Sequence, residues 1–156
     1  MVRYHNFDVV FAEIPGETTL AINITNCPNR CPGCHSPHLT ADAGRELDET
    51  ELRGLLDRYG RSVTRVCFMG GDAAPHEIAA LAGVVRKTFP ILHTGWYSGR
   101  DELPEGIDTA AFDYIKLGGW VEERGPLTAP TTNQRLYKVG SDGGMEDITE
   151  RFRHKP

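Results

Sequence analysis

The sequence predicts an α/β domain whose mostly parallel sheet is arranged as a partial, open β/α barrel. Three observations predict it. Short apolar, β-branched runs alternate with segments of helical period along most of the chain. Glycine pairs follow two of those runs, at Gly70-Gly71 and Gly118-Gly119. The chain has 156 residues, whereas a closed eight-unit barrel takes about 250.

The elements follow in order. Leu20, Ile22 and Ile24 alternate within Thr19–Thr25, the pattern of a strand. A shorter strand at Asp8–Phe11 precedes it, with Pro15-Gly16 as the turn. Pro28, Pro32 and Gly33 keep the next segment out of regular helix. A helix is expected over Asp48–Tyr59, because Leu52, Leu55, Leu56 and Tyr59 recur at helical spacing. Asp48 is its N-cap, Glu51 is placed to reach back as in a capping box, and Gly60 stops it.

Val63–Met69 reads as a buried strand ended by Gly70-Gly71-Asp72. Pro75 opens a second helix whose apolar face is Ile78, Leu81, Ala82 and Val85, ending near Phe89-Pro90. Ile91–Tyr97 and Asp113–Leu117 read as strands, separated by a loop with room for a short helix. Gln134–Val139 is a further strand and 140–144 a turn. One domain therefore covers 1–156, with its core at about 6–139 and a tail at 140–156 whose charged end frays.

Strands joined by right-handed crossovers gather their ligands at the carboxyl ends. The loops at Cys27–His35, Gly70–Asp72, Tyr97–Arg100 and Lys116–Gly119 are thus expected on one rim.

Composition narrows the function. Apolar residues make up 39% and charged residues 25%, as in ordinary globular proteins. The net charge of -5 argues against a nucleic-acid binder. No apolar run is long enough to span a membrane, and Met1–Phe7 lacks a signal-peptide core, so a cytoplasmic protein is expected. In that reducing compartment clustered cysteines point to metal or catalysis rather than disulfides.

Three of the four cysteines stand as Cys27-x3-Cys31-x2-Cys34 within one tight loop. Thiolates suit iron–sulfur clusters and zinc. Three cysteines on a four-iron cluster leave one iron without a protein ligand, and an open position marks a catalytic rather than a structural metal. The alternative is a closed zinc site completed by His35 or His38. Cys67, within Val66-Cys67-Phe68-Met69, reads as a small core hydrophobe.

The cysteine motif resembles that of the radical S-adenosylmethionine superfamily. Its details resemble the anaerobic ribonucleoside-triphosphate reductase activating proteins. The likeness rests on Cys27-Pro28-Asn29-Arg30-Cys31-Pro32-Gly33-Cys34, Gly70-Gly71-Asp72, Thr94-Gly95-Trp96-Tyr97 and Asn133-Gln134-Arg135. It implies a [4Fe-4S] cluster on Cys27, Cys31 and Cys34 that reductively cleaves S-adenosylmethionine, and a radical that takes hydrogen from a glycine of the large reductase subunit. Flavodoxin or ferredoxin is the implied electron donor.

The resemblance also implies cofactor contacts. Gly70, Gly71 and Asp72 would hold the amino group of S-adenosylmethionine; an ordinary strand-to-helix turn is the alternative. Gly33, Cys34 and His35 would lie against adenine, although related activators often carry tyrosine where this chain has His35. Lys116 matches a cofactor-contacting lysine loosely, in Asp113-x-x-Lys116, and a surface lysine is the competing reading. Tyr97 and Ser98 touch ribose or only line a turn. Asn133-Gln134-Arg135 docks the reductase or is a solvated loop. Activation of another glycyl-radical enzyme, a small-molecule radical reaction, and a zinc or electron-transfer module remain the rival functions.

Overall fold

The computed structural model describes residues 2–11, 17–29, 39 and 41–152. The expected turn at Pro15-Gly16 lies outside them. The strands are β1 (Arg3–Val10), β2 (Thr19–Ile24), β3 (Arg45–Glu46), β4 (Arg65–Met69), β5 (His93–Tyr97), β6 (Tyr114–Leu117), β7 (Arg135–Val139) and β8 (Met145–Asp147). The helices are α1 (Glu49–Tyr59) and α2 (Pro75–Thr88), with short 3-10 turns at Thr109–Ala111 and Thr149–Phe152.

All eight strands share one sheet in the order β3-β1-β2-β4-β5-β6-β7-β8. The sheet is open, as expected, with β3 and β8 as its ends among the described residues. One expectation is corrected: the sheet is not mostly parallel. The central strands β2, β4, β5 and β6 run parallel, but β1 and β3 on one side and β7 and β8 on the other pair antiparallel. Between β1 and β2, and between β7 and β8, the physical reason is connection length: parallel neighbours need a long crossover, such as α2 between β4 and β5, whereas a short link returns the chain antiparallel. The 140–144 turn is such a link: Gly140 N donates to Gly144 O at 2.8 Å, and β8 folds back on β7.

The pleat sorts side chains between two faces. Val66 and Phe68 of β4, Trp96 of β5 and Ile115 of β6 pack with Leu52, Leu55 and Leu56 of α1 and with Ile78, Leu81 and Val85 of α2. Removing large side chains such as Phe68 and Trp96 from water contributes about 1.5–3 kcal/mol each. Cys67, Gly95, Tyr114 and Lys116 alternate with that set and lie on the opposite face. Cys67 is fully buried, as expected of a core cysteine.

Local signals explain the helix ends. Asp48 Oδ1 accepts from Glu51 N at 2.8 Å, which caps α1. The reciprocal half of the capping box gives way to tertiary contacts, because the Glu51 carboxylate accepts from the Tyr4 hydroxyl at 3.1 Å and faces Arg45 at 3.5 Å. Burial and the neighbouring Glu51 together push the Tyr4 phenol above its ordinary pKa. Pro75 occupies the first turn of α2, where its missing N–H costs nothing. No described helix is long and apolar enough to cross a membrane.

Candidate functional site

The parallel strands β2, β4, β5 and β6 all end on one edge, and the loops that leave them meet there as expected. The first is the cysteine loop. Asn26 takes a left-handed backbone, φ 60°, which asparagine tolerates better than most residues. The base of the loop is closed by Asn26 N donating to Ala41 O at 3.0 Å and Cys27 N to Leu39 O at 2.9 Å. Thr25 Oγ1 adds a bond to Ala43 O at 2.6 Å. Cys27 is half-buried. Gly33, Cys31, Cys34, His35 and His38 lie outside the described residues.

The second loop is Gly70-Gly71-Asp72. Both glycines have positive φ, 111° and 98°. A Cβ on Gly71 would stand 2.5 Å from Ile78 Cγ1, so glycine is required there by backbone conformation and by space. Trp96 Nε1 donates to Gly70 O at 2.8 Å, which ties the turn to β5.

Asp72 is buried, and its carboxylate gathers three loops. Oδ1 accepts from Ser98 Oγ at 2.6 Å. Oδ2 accepts from Gly99 N at 2.8 Å and from Asn29 Nδ2 at 2.5 Å. Asn29 Nδ2 also lies 3.6 Å from Cys27 Sγ. The cysteine loop and the glycine turn are therefore joined by a continuous hydrogen-bonded path.

Lys116 departs from the surface reading. It is 8% exposed. Its Nζ donates to Gly118 O at 2.8 Å and to Gln134 Oε1 at 3.3 Å, and it stands 5.4 Å from the centroid of the Tyr97 ring. The pleat places Lys116 on the face away from the helices, and the β5–β6 register sets it beside Tyr97. Asn133-Gln134-Arg135 is likewise no free loop. Asn133 Nδ2 donates to Gly119 O at 3.1 Å, and Arg135 Nε pairs with Asp147 at 2.8 Å. Within Thr94-Gly95-Trp96-Tyr97, Trp96 and Tyr97 reach the rim, while Thr94 Oγ1 donates to Ala111 O at the far end of the strand.

Cys27 Sγ is a soft donor of the kind that iron–sulfur clusters and zinc take, and the described group beside it, Asn29 Nδ2, is a hydrogen-bond donor that does not compete for such a metal. Among the described residues no group of three or more His, Cys, Asp or Glu side chains is arranged to hold a metal. Of the Cys27, Cys31 and Cys34 triplet only Cys27 is among them. Asn26 and Asn29 were given no role of their own in the sequence. The asparagine before the first cysteine was a legible signal, since asparagine is enriched at positive φ; Asn29 stood within the cysteine motif, but its partner Asp72 is 43 positions away.

Comparison with known proteins adds one similarity. The Dicer-like protein 2-2 of Aspergillus niger is 32% identical over 110 residues, which take in 68% of this chain. The match spans only 8% of that protein's length. No family model and no solved structure matches the chain.

Proposed function

We propose that this chain is a radical S-adenosylmethionine activase that generates a glycyl radical on the anaerobic ribonucleoside-triphosphate reductase, working in the cytoplasm with flavodoxin or ferredoxin as electron donor. The observation that carries the reading is the rim itself. Cys27, Gly70-Gly71-Asp72, Ser98 and Lys116 come from four separate loops or strand ends and lie in one hydrogen-bonded neighbourhood. The parallel block β2–β4–β5–β6 is the part of the sheet that a partial barrel of this type would retain.

Cys27, Cys31 and Cys34 would hold the cluster. When bound, the [4Fe-4S] cluster would supply the electron for reductive cleavage of S-adenosylmethionine, the chemistry that hydrogen abstraction from a glycine Cα of the reductase would need. The chain's own residues bind and orient. Gly70 and Gly71 let backbone approach a ligand without a Cβ in the way. Asp72 is committed to Asn29, Ser98 and Gly99, so its part is to fix the glycine turn against the cysteine loop rather than to offer a free carboxylate. Lys116, held over Tyr97 by bonds to Gly118 O and Gln134 Oε1, would contact the cofactor on that face. Gly33, Cys34 and His35 would contact adenine.

Anaerobic reconstitution with iron and sulfide tests this. The expected result is a brown protein with broad visible absorbance that releases methionine and 5′-deoxyadenosine from S-adenosylmethionine under a strong reductant. Replacement of Cys27, Cys31 or Cys34 by Ala abolishes both. A colourless protein that retains zinc overturns the proposal. Mixing with the reductase and searching by electron spin resonance for its glycyl radical tests the substrate; no signal there, with cofactor cleavage intact, moves the assignment to another glycyl-radical enzyme or a small molecule.

A further inference from the structure

Asn29 stands between the cysteine loop and the glycine turn. Asn29 Nδ2 carries two protons and faces two acceptors, Asp72 Oδ2 at 2.5 Å and Cys27 Sγ at 3.6 Å. The acceptor-only carboxylate fixes which end of the carboxamide points inward. Asp72 is in turn held by Ser98 Oγ and Gly99 N, so the chain of bonds ends on backbone rather than on solvent. Gly99 makes the room. A Cβ there would stand 2.6 Å from Asn29 Nδ2 and 3.3 Å from its Cγ. Three loops thus converge to hold one carboxamide against one sulfur.

We propose that Asn29 is a positioning residue for the Cys27 thiolate, oriented by Asp72 and admitted by Gly99. This deepens the reading above and rests on it for the identity of the metal centre. The physical consequence is twofold. A ligand whose sulfur is hydrogen-bonded loses less entropy on binding metal, because its rotamer is already selected. An N–H pointed at a metal-bound sulfur also withdraws electron density and favours the reduced, more negative state of the centre.

Cobalt(II) alone is the probe, titrated anaerobically into the metal-free full chain and followed by its thiolate-to-metal absorption. Asn29→Ala is expected to weaken cobalt binding about 10–100-fold, the usual effect of removing a partner that orients a ligand, and to shift the absorption band. Gly99→Ala is expected to act in the same direction, since its methyl takes the carboxamide's place. Asp48→Ala, which removes the cap of α1 away from the rim, is expected to leave the band where it is. In the iron-loaded protein, Asn29→Ala is expected to move the cluster potential to more negative values. Asn29→Ser, which keeps a short donor, should recover part of both effects; it also serves if Asn29→Ala fails to fold.

The proposal is overturned if Asn29→Ala binds cobalt with unchanged affinity and band, or if Asp48→Ala, far from the rim, shifts the band as far as Asn29→Ala does. The two readings fail separately. Cofactor cleavage by the wild type with an indifferent Asn29 sinks this inference alone. Asn29-dependent cobalt binding without cofactor cleavage sinks the activase alone.

Discussion

Asp72 shows how a residue's role depends on what reaches it. Its position after Gly70-Gly71 suggested a carboxylate available to a ligand. The structure commits both oxygens to Ser98, Gly99 and Asn29. Asp72→Ala leaves three donors facing a gap where the carboxylate was, and a buried donor without a partner costs about 1–3 kcal/mol. We expect a loss of about 2–3 kcal/mol in urea unfolding, and the fastest amide exchange gain at Gly99. Gly71→Ala combines positive φ with a Cβ 2.5 Å from Ile78. A drop of about 2 kcal/mol or more is expected from thermal unfolding; an unchanged transition would show that the turn can relax. The glycines were legible because their requirement is local. The partners of Asp72 were not, because they sit 43 and 26 positions away in sequence.

At the scale of elements, the helices were the most legible. α1 and α2 fall within a residue or two of the expected spans, because an amphipathic stripe and an end signal are both written locally. Asp48→Ala removes the side-chain cap of α1 and should cost about 1 kcal/mol, read as a lower midpoint in thermal unfolding followed by far-ultraviolet circular dichroism. Asp48→Ser should restore most of it. The outer strands were less legible. β1 runs Arg3–Val10 rather than Asp8–Phe11, and its burial does not alternate cleanly. Its pairing with β2 and β3 is carried by backbone, which side-chain period does not report. β3 and β8 are two and three residues long, too short for any period to show.

Over the whole molecule the two ends of the parallel strands do different work. The carboxyl end holds the rim. The amino end holds Arg65, a fully buried charge paired with Glu17 at 2.7 Å and laid 3.6 Å from the centroid of the Tyr114 ring. His93 Nδ1 stands 3.2 Å from the same Glu17 oxygen. Burial alone would raise the Glu17 carboxyl. The Thr64 hydrogen bond, the Arg65 charge and the His93 contact outweigh it, and the pKa lies below the ordinary carboxylate value. A carboxyl depressed in the folded state binds its proton more tightly when unfolded. Its stabilisation is therefore complete above the unfolded value, near pH 4.3, and is lost as pH falls through the lower folded value. Glu17→Ala strands the Arg65 charge and should destabilise the protein by about 3 kcal/mol at neutral pH. The gap to wild type should close on acidification below about pH 4. A gap that stayed constant from neutral pH to pH 3 would mean that Glu17 acts by packing instead.

By itself the sequence determined the alternation of strands with helices, the two helices with their ends, the burial of Cys67, and the set of loops expected to share a rim. Those features depend on spacing and on single-residue backbone preferences, which the chain carries locally. The tertiary structure alone decided that the sheet has antiparallel flanks, that Lys116 is buried over Tyr97, and that Asn29 joins Cys27 to Asp72. Each of these is a contact between segments far apart in sequence. Pairing across such distances is selected by packing and hydrogen-bond satisfaction over the whole fold, which no local pattern records.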